Sequence, residues 1–154
     1  MTVEGLERIL REHDFLKDLS LEQARFLVSC ARNLHYATGD FLLHEGTDAT
    51  AFYLLRRGRV ALEIHVPGRG TVEMESLGPG DVLGLSWFIP PYREQLDARA
   101  VEPVVAIAFD CQCLRDKLDA DHDLGYALAR RLFEHAYHRL ERVRLQRLDL
   151  YGVQ

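Results

Sequence analysis

RRGRVALEIHVPGRGTVEMESLGPGDVLG, residues 56–84, decides the fold. Within it Val60, Leu62, Ile64 and Val66 alternate with Ala61, Glu63 and His65, the period-two pattern of a strand with one face buried. Pro67-Gly68-Arg69-Gly70 turns the chain, and Thr71 to Ser76 continues as a second β-prone run before Gly78-Pro79-Gly80-Asp81 turns it again. The same rhythm extends outward in both directions. Phe41 to His44, Ala51 to Arg56 and Val101 to Phe109 are β-prone, and glycine-bearing turns at Gly39-Asp40, Glu45 to Asp48 and Arg57-Gly58 separate the earlier ones. Short strands punctuated in this way predict a β-roll of the double-stranded β-helix or jelly-roll kind over residues 35–109.

Helices flank the roll. Leu6, Ile9, Leu10 and Phe15 fall near helical spacing, and Ser20 with Gln23 forms a capping-box signature. The helix it opens is predicted to run to about Leu34, with Ala24, Leu27, Val28 and Ala31 facing inward. From Asp110 the chain turns helical again, and residues 121–150 predict one amphipathic helix of roughly 40 Å. Its stripe of Leu128, Leu132, Ala136, Leu140 and Val143 is longer than a small roll can cover, which predicts a homodimer paired along this helix. The reading is therefore α+β but mainly β, one domain over 1–154: N-terminal helices at 1–34, the roll at 35–109, C-terminal helices at 110–152.

Bulk composition narrows the function. The 154 residues are 47% hydrophobic and 28% charged, ordinary globular values, and the net charge of −5 argues against a nucleic-acid-binding surface over the whole molecule. Neither a membrane-spanning apolar run nor a signal peptide is visible, so a cytoplasmic protein is expected. Cys30, Cys111 and Cys113 are too few for a disulfide framework and lack the second ligand pair of a metal centre, so they read as free thiols. His35, His44 and His65 lie on or beside strands without the close pair a metal-binding roll needs; no metal is expected. His135 and His138 read as solvated or dimer-seam residues. Arg130, Arg131, Arg139, Arg142, Arg144 and Arg147 make the last helix basic, a candidate surface for an acidic protein partner, though such a helix is more commonly solvated. Ser76 and Ser86 stand in no nucleophile setting, and no enzyme is expected.

Gly39-Asp40, Glu45-Gly46, Phe52 to Leu55 and Gly58 to Glu63, followed by the entry L-G-x-G-D-x-x-G at Leu77–Gly84, resemble the cyclic nucleotide-binding domain of Crp/Fnr-type regulators over roughly residues 10–150. The resemblance implies a phosphate cassette from Gly84 to about residue 99. There a short helix offers backbone N–H groups to the cyclic phosphate, a glutamate after the glycine takes the ribose 2′-hydroxyl, and an arginine about ten residues on neutralises the phosphate. It also implies a DNA-binding domain beyond the long helix, and the chain ends where that would begin.

The cassette departs from this pattern. Leu85 stands at the glutamate position, and counting from Gly84 puts the arginine slot near Glu94 or Gln95, or nearer Tyr92 when counted back from the following strand. Arg93 lies beside the slot, and Arg99 falls in the strand that follows. Losing a charged hydrogen bond removes ~1.5–3 kcal/mol, and losing the arginine as well weakens binding by ~10³-fold or more. Ordinary cAMP binding is not expected. Gly84, Leu85, Ser86, Trp87, Tyr92, Arg93 and Gln95 are the candidate ligand residues. With Phe88, Ile89, Pro90 and Pro91 they make either a pocket retuned for another small anionic or aromatic ligand, or a plug that fills the roll. No cofactor is assigned. The first reading is a non-catalytic sensor, the second a ligand-free adaptor for a protein partner.

Overall fold

The computed structural model describes residues 3–150 and Gly152. Helices α1 (Val3–Glu12) and α2 (Leu21–Val28) lead into eight strands: β1 (Ala31–Tyr36), β2 (Phe41–Leu43), β3 (Ala51–Arg57), β4 (Val60–Val66), β5 (Gly70–Leu77), β6 (Val82–Leu83), β7 (Asp97–Ala100) and β8 (Val104–Asp110). Helices α3 (Cys111–Ala120) and α4 (His122–Leu150) follow. The strands form two antiparallel sheets ordered β1-β8-β3-β6 and β2-β7-β4-β5, which is the predicted jelly roll flanked by helices.

The alternating run at Val60–Val66 and the run that follows it form the antiparallel pair β4–β5, matched from Val60↔Leu77 to Val66↔Gly70 with one register shift between Leu62 and Glu63. Gly58, just before it, has φ +86°, and a β-carbon there would collide with the Pro103 carbonyl oxygen, so only glycine fits. Two features differ from the expectation. The helix capped by Ser20 and Gln23 (Gln23 N to Ser20 Oγ, 3.1 Å; Ser20 N to Gln23 Oε1, 3.0 Å) stops at Val28 instead of running to Leu34. Ala31–Tyr36 pairs instead with β8 along its whole length, and that pairing with a buried strand outweighs the helical preference of Ala31 and Arg32. Strand β7 was hidden in Asp97-Ala98-Arg99-Ala100 because small residues signal strands weakly; Ala98 and Ala100 are fully buried between β2 and β4, where only small side chains fit.

Two apolar clusters fill the roll. One joins Phe15, Phe52, Trp87 and Phe109 to Leu124, Leu128 and Leu132 of α4; the other gathers Leu55, Val60, Leu62, Leu77, Leu83 and Val104. Leu128 and Leu132, assigned from sequence to a dimer seam, are thus core residues, because their four-residue spacing turns that face onto the chain's own roll. The outer stripe of α4 is instead Tyr126, Phe133, Tyr137, Leu140 and Leu148, all exposed. Several arginines of this helix are occupied at home. Arg131 donates to the Phe15 and Asp14 carbonyl oxygens and to Glu134, Arg139 pairs with Glu75, and Arg142 reaches Asp81.

The thiols also differ from expectation. Cys30 and Cys113 form a disulfide with Cα atoms 5.7 Å apart, leaving Cys111 as a buried free thiol. Register explains the pairing. Ala31 lies opposite Phe109, so Cys30 faces Asp110, whose N–H donates to the Cys30 carbonyl; the first turn of α3, capped by Asp110 Oδ1 on the Cys113 N–H at 2.8 Å, then returns Cys113 over Cys30.

Candidate functional site

Strand β6 ends at Leu83, and Gly84, at φ +91°, turns the chain into a 3-10 helix, Leu85–Phe88. Leu85 and Ser86 border a cavity of about 440 Å³, while Trp87 points away from it into the core. The remaining walls come from Leu43, Leu62, Met74, Leu83 and Leu96 of the roll and from Ala136, Arg139, Leu140 and Val143 of α4. Helix α4 is therefore one wall of the cavity.

Of the residues singled out from sequence, Gly84, Leu85, Ser86 and Gln95 meet at this cavity. Trp87, Tyr92 and Arg93 do not. The Trp87 ring is fully buried against Phe52 and Phe88, with centroids 5.5 and 5.1 Å away. Tyr92, at φ +58°, lies under the Arg115 guanidinium, 4.4 Å from the ring centre, and Arg115 also donates to the Trp87 carbonyl at 2.9 Å. Arg93 is held on the outside by Asp48 Oδ1 at 2.8 Å and by the Gly46 carbonyl. Arg99 forms a two-pronged pair with Glu63, 3.0 Å on each side. No arginine of the cassette reaches the cavity. The β-bridge that pairs Asp48 with Arg93 keeps that side chain outside the cavity.

The residue that does reach it is Glu94, only 4% exposed and bordering the cavity. A β-carbon on Gly84 would lie 3.8 Å from its Oε1, so the carboxyl looks across at the cassette glycine. Oε1 is buried without a hydrogen-bond partner among the described residues, and burial pushes the carboxyl pKa up to about 7. Its backbone is fixed on both sides: Glu94 N–H donates to Thr47 O, and Gly46 N–H donates to Glu94 O, each at 2.9 Å. Sequence counting brought the arginine slot to Glu94 or Gln95 without marking Glu94 as a site residue; its place at the counted slot was the available signal. Arg139, the cation at this cavity, is tied to Glu75 Oε2 at 2.5 Å. The lining therefore carries two carboxyls against one guanidinium.

The comparisons agree with this architecture. The family model for the cyclic nucleotide-binding domain matches residues 33–121. Among solved structures, one similar protein is described as a cyclic nucleotide-binding protein of Geobacter metallireducens: TM-score 0.80, 26% identity, covering 88% of this chain and 98% of that one. Another is a cyclic nucleotide-binding domain from Methylobacillus flagellatus: TM-score 0.79, 21% identity, 96% and 83% covered. A third is the N-terminal domain of a transcriptional regulator from Streptomyces coelicolor: TM-score 0.67, 25% identity, 86% and 93% covered. No curated protein matches the chain. Among the described residues no helix is long and apolar enough to cross a membrane. With its β-roll, its glycine-led cassette and the family match over most of the roll, the chain belongs to the cyclic nucleotide-binding domain family.

Proposed function

We propose that the chain is a non-catalytic, ligand-sensing regulatory module whose cavity takes a small molecule other than a cyclic nucleotide, and that occupancy is passed to α4. One observation carries this reading: Glu94 stands at the cavity where the resemblance calls for a phosphate-neutralising arginine, and Arg93 is turned away. A phosphate there would meet a carboxyl in a poorly solvated site. Since Arg139, Leu140 and Val143 wall the cavity, a ligand that fills it bears directly on the helix. Two arrangements of α4 with different ligand affinities then suffice for signalling.

The helix offers a second copy its outer stripe of Phe133, Tyr137, Leu140 and Leu148. The adaptor reading needs a filled pocket, and it is less well supported, because Trp87 fills the core beside the cavity and leaves the cavity itself open.

Thermal unfolding with millimolar cAMP or cGMP tests the reading. No shift is expected. A rise of roughly 5–10 °C, the response to a ligand at ~100 times its dissociation constant, overturns it. Light scattering of Phe133→Glu tests the pairing; a wild-type dimer that becomes a monomer supports it, and an unchanged mass refutes it.

A further inference from the structure

A buried acid without a partner is expensive, and Glu94 sits beside empty space large enough for a drug-sized molecule, the usual range being ~300–1,000 Å³. The groups around it explain what would suit it. Leucines 43, 62, 83, 85, 96 and 140 make most of the wall apolar, and the cation at the cavity, Arg139, already answers Glu75. An anion gains nothing here, because the lining has no net positive charge. A neutral apolar molecule would leave Oε1 as it is. A cation bearing N–H groups would pair the Glu94 carboxylate at the cavity wall, a charge-assisted bond in a site where such bonds are strong.

We propose that this cavity takes an organic amine, its ammonium group seated on Glu94 and its apolar body against the leucines and α4. The inference rests on the sensing role argued above and names the ligand class for that same cavity. Binding then requires the ionised carboxylate, so a proton held by Glu94 passes to bulk water as the ammonium group enters. Glu75 on β5 and Arg139 on α4 share the cavity with Glu94, and the titratable groups that feel the charge of Glu94 are Tyr53 on β3 and the Cys111 thiol at the start of α3. Both of these are pushed up by burial, the thiol to about 12, so neither changes state near neutral pH. Glu94 is left as the group that titrates in that range.

Three indoles of similar shape separate the alternatives: tryptamine, a cation; tryptophol, neutral; and indole-3-acetate, an anion. Calorimetry at pH 8 should give binding of tryptamine well above that of tryptophol, and none of indole-3-acetate. Tryptamine affinity should fall about tenfold between pH 8 and pH 6, as a carboxyl of pKa about 7 protonates. Glu94→Gln should weaken tryptamine about tenfold or more, leave tryptophol unchanged, and remove the pH dependence. The class assignment is overturned when tryptophol or indole-3-acetate binds as well as tryptamine, when Glu94→Gln binds tryptamine as tightly as wild type, or when all three fail to bind. Its failure is distinct from that of the sensing role, which falls on stabilisation by cAMP or cGMP.

Discussion

Trp87 and Glu94 lie in the same short segment, both are buried, and each carries a polar atom with no partner, Trp87 Nε1 and Glu94 Oε1. Their surroundings are opposite. Trp87 is enclosed by Phe52, Phe88 and the rest of the inner cluster, so its large apolar surface more than offsets one unpaired N–H. Glu94 has a wall of leucines on one side and open volume on the other, and nothing in the folded chain offsets its cost. An unpaired group in solid packing is a structural compromise; a carboxyl at a cavity wall is a group that a ligand's donors can pair. The cassette is thus an anchor at one end and a receptor at the other.

Substitutions at the two ends should differ in kind. Trp87→Ala should have the largest effect, about 3–5 kcal/mol of stability from lost burial and a new cavity, read as a fall in Tm of roughly 6–20 °C. A Tm within a few degrees of wild type would mean the anchor end is not packed as described. Glu94 should show itself through pH. The folded carboxyl titrates near 7 and the unfolded one near 4.5, so between those values the folded protein holds the extra proton and stability falls as pH rises. Denaturant titrations from pH 4 to pH 8 should lose about 2–4 kcal/mol through this group, and Glu94→Gln should flatten the slope. A wild-type profile without that descent would put Glu94 in contact with solvent.

Smaller effects should follow at the rim. Arg139→Ala removes a partly buried pair that links α4 to β5 and should cost about 1 kcal/mol, while raising hydrogen exchange in the second half of α4. Unchanged exchange would separate the helix from the cavity. Arg93→Ala should come last, within about 0.5 kcal/mol, since its pair with Asp48 is exposed, and it should leave ligand binding at the cavity untouched. Loss of binding there would restore Arg93 as a ligand residue.

The roll was largely legible and the cassette only in part: Gly84, Leu85, Ser86 and Gln95 reach the cavity, and Trp87, Tyr92 and Arg93 do not. The glycine turns and the alternation over Ile64–Val66 carry the roll; Val60–Glu63 departs from the one-face pattern, being buried on both faces, where the Arg99 guanidinium answers the Glu63 carboxylate. Strand β1 was obscured because pairing with β8 is a long-range effect that local preference cannot express. In α4 the stripe gave the right helix, but Leu128 and Leu132 turn onto the chain's own core: one face buried there looks, in sequence, the same as one buried in a second copy. The cassette turned on a single reversal. Whether Arg93 or Glu94 points inward depends on the φ of +58° at Tyr92 and the bridge at Asp48, and no pattern of residue types encodes that.

The link between Cys30 and Cys113 closes a covalent ring that contains every strand of the roll and the entire cassette, leaving α1 with α2 and most of α3 with α4 as two tails. A protease that cuts once inside the ring, for example in the loop around Arg69, leaves a nicked protein that migrates as one species until a reductant is added and then as two. A cut within α4 releases a fragment at once. Digestion followed by electrophoresis with and without reductant therefore sorts accessible sites into those inside the loop and those outside it, and shows which part of the molecule opens first.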